Sequence, residues 1–337
     1  MPLANRKATR CLLISTGDPA GIGPEICFKA LRELGPVPGF KLIPVGDLET
    51  LSRAAALAGF PFALSAIASP GDFRDRGSSG EILHVGLQEA IEPGDVSAPA
   101  GGNAYRILEA CSGLCLSGEA AGLVTCPINK ESLERAGHGG LGHTEILSRL
   151  AGVAPAETVF SLRALKIFFL TRHLPLAEAV SKVKKQNILE ALVRMDRVLP
   201  SLGVERPRLG VPGLNPHCGE GGLFGREEIE EIVPAVAEAR KRKIRVSGPI
   251  GADSIFHQGL QGEFDSILAL YHDQGHIAAK TCDFFGAVTL SLGLPYLRTS
   301  VDHGTGFDIA WRGKANPASL IRAVELVVEI LEKGRGR

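Results

Sequence analysis

The sequence predicts an α/β fold with mostly parallel sheets, and three observations carry that prediction. Short apolar, β-branched runs alternate with longer stretches of helical period over nearly the whole chain, the pattern of repeated strand–helix–strand units. The polar, glycine-rich motifs fall just after the apolar runs, where open parallel sheets place their ligand loops. The 337 residues leave room for about two domains, at roughly 100 to 200 residues each.

In chain order, residues 12–15 read as the first strand and 24–33 as the helix after it, with a proline at its start. Residues 42–45 form a second apolar run. A helix over 102–116 leads to a short strand at 123–125, and a helix over 187–199 to a strand at 208–211. Helical spacing covers 226–242, strands follow at 267–270 and 287–292, and the chain closes on a helix over 317–333. In that helix Pro317 suits a first position, and Leu320, Val324, Val327, Val328 and Leu331 recur on one face. No repeat or low-complexity linker offers a place to cut the chain, which points to a discontinuous domain.

Composition narrows the function classes. Lys plus Arg and Asp plus Glu both number 37, so no net field draws the molecule to nucleic acid or an anionic membrane. Three Tyr and one Trp provide no stacking platform for bases. The seven cysteines form no Cys-x-x-Cys pair, which argues against a disulfide scaffold. No run approaches the roughly 18 apolar residues of a membrane span. A cytoplasmic small-molecule enzyme, with neither nucleic acid nor membrane as partner, is the expectation.

Four groups of residues carry chemistry. Thr16-Gly17-Asp18-Pro19-Ala20-Gly21-Ile22-Gly23-Pro24-Glu25 joins the first strand to a helix, either as an anion-binding turn or as a tight turn capped by Asp18. His173, His217 and His272 each follow a strand. Each is either a packed imidazole or one of three ligands leaving open positions on a divalent ion. Asp253 and Asp273 complete such a site, orient its ligands, or serve as helix cap and turn residue. Gly142-His143-Thr144-Glu145 opens a helix whose first-turn amides suit an anion or a capping box. Lys280 and Arg298 supply cations for a carboxylate or phosphate, or are solvated surface charges.

Taken together and in order, these motifs, with Gly213 to Gly222, Tyr271 to Gly275, Leu292-Gly293-Leu294-Pro295 and Arg298-Thr299-Ser300-Val301-Asp302-His303-Gly304-Thr305, resemble the 4-hydroxythreonine-4-phosphate dehydrogenase family of pyridoxal phosphate biosynthesis. The likeness runs from about residue 14 to the final helix. It implies a two-domain fold like that of isocitrate and isopropylmalate dehydrogenases, and a homodimer with shared active sites in a cleft between domains. The implied division is 1–140 plus 285–337 for one domain and 141–284 for the other. The resemblance implies metal ligands His173, His217 and His272, the last reaching the partner subunit's site, and one divalent ion (Zn, Mg or Co). Implied substrate contacts are His143, Thr144, Lys280 and Arg298. Thr289 stands where the family usually has an asparagine, keeping a hydroxyl but losing the paired donor and acceptor of an amide. Lys280, Asp253 and Asp273 are the candidates for catalytic roles.

A second likeness, of His303-Gly304-Thr305-Gly306-Phe307-Asp308-Ile309-Ala310 and Gly313-Lys314-Ala315-Asn316-Pro317 to the nucleotide loop of β-decarboxylating dehydrogenases, implies cofactor contacts at His303, Asp308 and Asn316. Asp308 on the ribose hydroxyls would repel a 2′-phosphate, favouring NAD while NADP remains an alternative. The implied reaction is metal-dependent oxidation of 4-phosphooxy-L-threonine to a 3-oxo acid, which decarboxylates to 3-amino-2-oxopropyl phosphate. The first alternative substrate is 4-phospho-D-threonate or 4-phospho-D-erythronate. An alternative of another class is a non-catalytic binder of metal and phosphorylated ligands.

Overall fold

The computed structural model describes residues 9–73 and 80–333. It falls into two compact units, 1–157 with 288–328 and 158–287 with 329–337. The sequence reading sets the first division at 140/141; the structure sets it at 157/158. The reason is the helix His143–Leu150, whose Ile146 and Leu147 are buried with Ile107, Leu108 and Cys111 in the core of the first unit.

The first unit is built on β1 (Arg10–Ser15), β2 (Phe40–Gly46), β3 (Leu64–Ile67), β4 (Gly80–His84) and β5 (Gly122–Thr125). The second contributes β6 (Glu157–Leu162), β7 (Leu165–Phe169), β8 (Leu209–Pro212), β9 (Val246–Ile250) and β10 (Ser266–Ala269). The chain then returns to the first unit through β11 (Ala287–Leu292) and β12 (Leu297–Ser300). In the first unit the spatial order is β3-β4-β2-β1-β5-β12-β11. Every neighbouring pair there is parallel except β11 with β12. In the second unit the order is β6-β7-β10-β8-β9, with only β6 and β7 antiparallel.

The strands found from apolar runs are the buried ones. Leu12, Leu13 and Ile14 of β1 and Ile267, Leu268 and Ala269 of β10 are shut off from solvent, because helices cover both faces of parallel sheets and leave no room for alternation. In the first unit β1 lies between β2 and β5, so the chain moves outward in opposite directions on either side of it. Loops after β1 and β5 meet at that reversal, as Asp18 N donating to Pro127 O at 2.9 Å records, and open sheets bind ligands at such points.

One predicted helix is two elements. Residues 226–242 divide into a π-helical turn, Glu228–Ile232, and an α-helix, Val233–Lys241. Pro234 has no N–H to give the carbonyl four residues back, so a regular helix cannot run through this point. The wider turn absorbs the mismatch. Among the described residues no helix is long and apolar enough to cross a membrane.

Candidate active site

In the first unit, pairing register places the predicted substrate cation. Thr289 stands opposite Ser300 and Ser291 opposite Arg298, while Ser300 is aligned with Thr125 of β5. Residues two apart on a strand share a face, so Thr125, Thr289, Ser291, Arg298 and Ser300 form one polar patch. Arg298 is only 2% exposed. Its guanidinium donates from Nε and Nη2 to Thr125 Oγ1 and from Nη1 to Ser291 Oγ at 3.0 Å. Burial lowers its pKa to about 10, which leaves it charged at pH 7. A buried cation whose described hydrogen bonds all go to hydroxyls has the chemistry to receive an anion.

His143 begins its helix beside this patch. Its Nε2 lies 3.0 Å from Cys126 O; a carbonyl only accepts, so Nε2 carries the proton and Nδ1 presents a lone pair. Burial first, and then the charge of Arg298, hold the imidazole pKa well below its ordinary value, so the ring is neutral at pH 7. Thr144 follows in the first turn, where Glu145 takes the Gly142 amide at 3.1 Å, the returning half of a capping box. Thr289 departs from expectation in one respect. Its hydroxyl donates to Ser300 O at 3.3 Å, so it offers a substrate an acceptor rather than a donor.

The 303–316 segment of the same unit lies on the β1 loop. Ile22 N donates to Thr305 O at 2.9 Å and Trp311 Nε1 to Pro19 O at 3.1 Å. The approach requires glycine: a Cβ at Gly21 would stand 2.9 Å from Thr305 O. His303 Nδ1 lies 3.1 Å from Gly304 O, and Asp308 is exposed. Asn316 Oδ1 accepts from Ala318 N at 2.9 Å, so the oxygen of this predicted cofactor contact already serves the start of the C-terminal helix.

Asp18 is fully buried in the β1 loop, and its Oδ1 accepts from Ala20 N at 2.9 Å. The turn reading of this aspartate therefore holds, but burial raises its pKa to about 6 against that and weaker interactions with Ser132 and Asn129. With a folded-state pKa above the unfolded value, the carboxyl favours folding at low pH, and that contribution is lost as pH rises through about 6. Asp18→Asn is expected to raise stability at pH 7 by roughly 3 kcal/mol. Denaturant unfolding of both proteins across pH checks this: the gap should close toward pH 4, and a gap independent of pH would contradict it.

In the second unit β7, β10 and β8 are parallel neighbours, so their carboxyl ends open side by side into the loops of His173, His272 and His217. Side chains fasten these loops together. Thr171 Oγ1 donates to Leu270 O at 2.9 Å. Gln274 accepts from Leu270 N at 2.8 Å and donates to Gly213 O at 2.9 Å. Buried Glu228 accepts from Leu214 N at 2.8 Å, Asn215 N at 2.7 Å and Asn215 Nδ2 at 2.9 Å. Thr171 and Gln274 fall within motifs visible in the sequence, which assign them no such role, and Glu228 falls outside them.

The His173 and His272 rings lie 5.8 Å apart, centre to centre, and line a cavity of about 390 Å³ with Arg172, Tyr271 and Asp273. His272 Nδ1 is 2.6 Å from Asp273 Oδ1. The carboxylate holds the Nδ1 proton and leaves the Nε2 lone pair unprotonated, an arrangement common where a histidine binds a metal. His276 stacks on His272 at 3.7 Å and backs it against Phe160 and Phe169. His217, with its side chain 73% exposed, has Nδ1 3.4 Å from Glu220 Oε2. It begins a left-handed run, with φ between +43° and +80° from His217 to Gly221, a conformation costing about 1 to 2 kcal/mol per non-glycine residue.

Asp253 lies in the first turn of helix Ala252–Leu260. The Cys218 thiol is pushed up by burial, then by the charges of Glu228 and Asp253, which places that carboxylate near the His217 loop. Lys280 is two turns beyond His272 on helix His272–Cys282, its Nζ 5.6 Å from the Phe284 ring centre. Among the described residues no three His, Cys, Asp or Glu side chains converge tightly enough to hold a metal. The single chain brings His173 to His272 and leaves His217 outside that pair. The donor chemistry fits a divalent ion all the same: three imidazoles, one with its Nε2 presented by a carboxylate.

Comparison with known proteins gives a consistent set of matches. Residues 40–327 match the family of the pyridoxal phosphate biosynthetic protein PdxA. A Cutibacterium acnes protein named "Putative D-threonate 4-phosphate dehydrogenase" is 43% identical over 321 residues, covering 94% of this chain and 93% of that one. The crystal structure of 4-hydroxythreonine-4-phosphate dehydrogenase from Klebsiella pneumoniae superposes with a TM-score of 0.85 at 40% identity, over 95% of this chain and 99% of that one. A terephthalate 1,2-cis-dihydrodiol dehydrogenase from Burkholderia xenovorans gives 0.62 at 30% identity, over 95% and 98%.

Proposed function

The chain belongs to the family of the pyridoxal phosphate biosynthetic protein PdxA, and from that premise we propose that it oxidises the C3 hydroxyl of a four-carbon acid phosphorylated on O4. It is a dehydrogenase of the isocitrate/isopropylmalate dehydrogenase-like fold, and the family implies an NAD-type cofactor and a divalent metal. The observation that carries the proposal is the buried Arg298, whose described hydrogen bonds all go to hydroxyls, with neutral His143 nearby. Arg298 and Thr144 bind the phosphate, and His143 Nδ1 accepts from the substrate.

His173 and His217, with His272 from a second copy of the chain, would hold the ion. Exposed Leu223, Phe224, Ile277 and Phe284 near these loops support a shared surface of this kind. A divalent ion held there would lower the pKa of the C3 hydroxyl and polarise a carbonyl at C3; imidazoles suit Zn or Co, and added carboxylates would admit Mg. An NAD-type cofactor would supply the hydride acceptor. Asp273 keeps His272 in its ligand tautomer, Asp253 orients the His217 loop, and Lys280 carries the hydroxyl proton. Exposed Asp308 on the ribose would favour NAD over NADP.

Oxidation at C3 leaves a carbonyl β to the carboxylate, so carbon dioxide departs. From 4-phospho-D-threonate the product is dihydroxyacetone phosphate; from 4-phosphooxy-L-threonine it is 3-amino-2-oxopropyl phosphate. The hydroxy acid is the better supported substrate, because the relatives with 43% identity carry that name and Thr289 lacks the family's amide. The Klebsiella similarity supports the amino acid as the second reading. Rates of NADH and NADPH formation with each phosphorylated acid test this. The expected result is a kcat/KM at least about tenfold higher for the hydroxy acid, and for NAD. A preference for the amino acid overturns the substrate assignment, and no turnover with either overturns the proposal.

A further inference from the structure

We propose that Glu228 is a positioning residue for metal binding, holding the loop that carries His217 in the conformation from which that imidazole reaches the ion; this rests on the reading of His217 as a ligand. The loop is one the chain does not adopt unaided. From His217 to Gly221 the backbone is left-handed throughout, and three of the five residues, His217, Cys218 and Glu220, bear side chains. Such a run persists only where its surroundings over-determine it.

Glu228 supplies much of that determination from both sides of His217. Before the turn, Oε1 accepts the Leu214 and Asn215 amides, and Oε2 accepts from Asn215 Nδ2. Within the turn, two residues past His217, Gly219 lies on the same carboxylate, so close that a Cβ there would stand 2.9 Å from Glu228 Oε2 and 2.9 Å from Gly225 O. The residue just before the π-helical turn Glu228–Ile232 makes the grip double. Glu227 also reaches Asn215 Nδ2, at 2.7 Å, although consecutive residues of an α-helix point well apart. Gln274 completes the hold by donating from Nε2 to Gly213 O.

The identity of the residue is informative. Glu228 is 2% exposed, and its described hydrogen bonds all go to this loop rather than to a cation. An apolar side chain would fill the space without the desolvation cost of a carboxylate. What a carboxylate adds is two oxygens that accept main-chain amides at fixed positions, and those amides lead directly into His217.

The test compares the wild type with Glu228→Gln in the full-length protein, using Co²⁺ alone as the probe. Glutamine conserves size but presents an NH₂ to amide donors. Two readouts are needed: amide hydrogen exchange over residues 213–222 without metal, and the Co²⁺ dissociation constant with its visible spectrum. The expected result is lost exchange protection confined to that segment, and Co²⁺ binding weakened by roughly 10- to 100-fold, with the cooperative unfolding transition retained. Unchanged exchange, or Co²⁺ affinity within about twofold of wild type, overturns the proposal. Should Glu228→Gln not fold, Asn215→Ala removes the side-chain amide shared by both carboxylates and is expected to show the same pair of changes at smaller amplitude; its absence there counts equally against the assignment. His217→Ala separates this idea from the one beneath it. If that variant binds Co²⁺ as the wild type does, His217 is not a ligand, and the metal-positioning role fails with it even where the exchange data show a clamp.

Discussion

Arg298→Met is expected to lower kcat/KM for the phosphorylated substrate by roughly 100- to 1000-fold, mainly through KM, while leaving thermal stability unchanged or raised. The magnitude is the lower end of what losing about two charge-assisted hydrogen bonds to a phosphate gives, each worth about 1.5 to 3 kcal/mol. KM should carry the loss because a phosphate remote from C3 is held equally in the ground and transition states. Stability should not fall, because methionine fills the volume and removes a buried charge whose described bonds reach only Thr125 and Ser291. Arg298→Lys keeps the charge but not the fork, and one ammonium cannot reach both hydroxyls and a phosphate; a loss of about tenfold is expected. Steady-state kinetics with a melting curve check both variants. If Arg298 is only a structural strut, methionine lowers stability and leaves KM where it was.

The same arginine shows where the sequence stops being legible. A charged residue in the middle of Leu297–Ser300 reads as loop, so β12 is missing from the strands expected from apolar runs, and surface charge is the ordinary reading of Arg298. What makes it a buried strand residue is the row of hydroxyls on β5 and β11, and their alignment is a property of register. A trace of it is present in the sequence: Thr289 with Ser291, and Arg298 with Ser300, put polar groups at period two within otherwise apolar segments. The hairpin of β6 and β7 escaped for a different reason. Its link is Arg163-Ala164, with Arg163 at φ 51°, where a turn of this kind ordinarily advertises itself by asparagine or glycine.

The histidines were legible because each follows a strand, and parallel strands deliver their following loops to one edge of the sheet. The groups that hold them were not. Glu228 belongs to an acidic stretch indistinguishable from the wet face of a helix, and Gln274 to the first turn of another. Their targets, the Leu214 and Asn215 amides and the Gly213 carbonyl, are main-chain groups that leave no mark in the sequence. Asp273 was legible as a ligand, an orienting residue or a turn residue, and the 2.6 Å contact with His272 Nδ1 supports the proposal of the second.

Glu25→Gln is expected to cost about 3 kcal/mol of stability and to raise KM for the nicotinamide cofactor with little change in KM for the phosphorylated acid. Glu25 is 1% exposed, and its carboxylate accepts from Lys29 Nζ at 2.7 Å, Ala315 N at 2.8 Å and Gly313 N at 3.2 Å. Lys29 Nζ in turn donates to Gly313 O at 2.9 Å and Ala315 O at 2.8 Å. The pair thus grips donors and acceptors of the same two residues, fixing the end of the 303–316 segment to the helix after β1. Neutralising Glu25 alone leaves the ammonium largely shielded without a counter-charge, and breaking a buried pair in this way costs about 3 to 5 kcal/mol. Lys29→Met should be comparably harmful alone, whereas the double variant should recover about 1 to 3 kcal/mol relative to the sum of the singles. Denaturant unfolding of the four proteins yields that coupling, and cofactor kinetics show whether the segment matters for nucleotide binding. Additive losses would show that the two charges act independently. A stability loss with an unaltered KM for the cofactor would remove residues 303–316 from the nucleotide site, and with them the contacts assigned to His303 and Asp308.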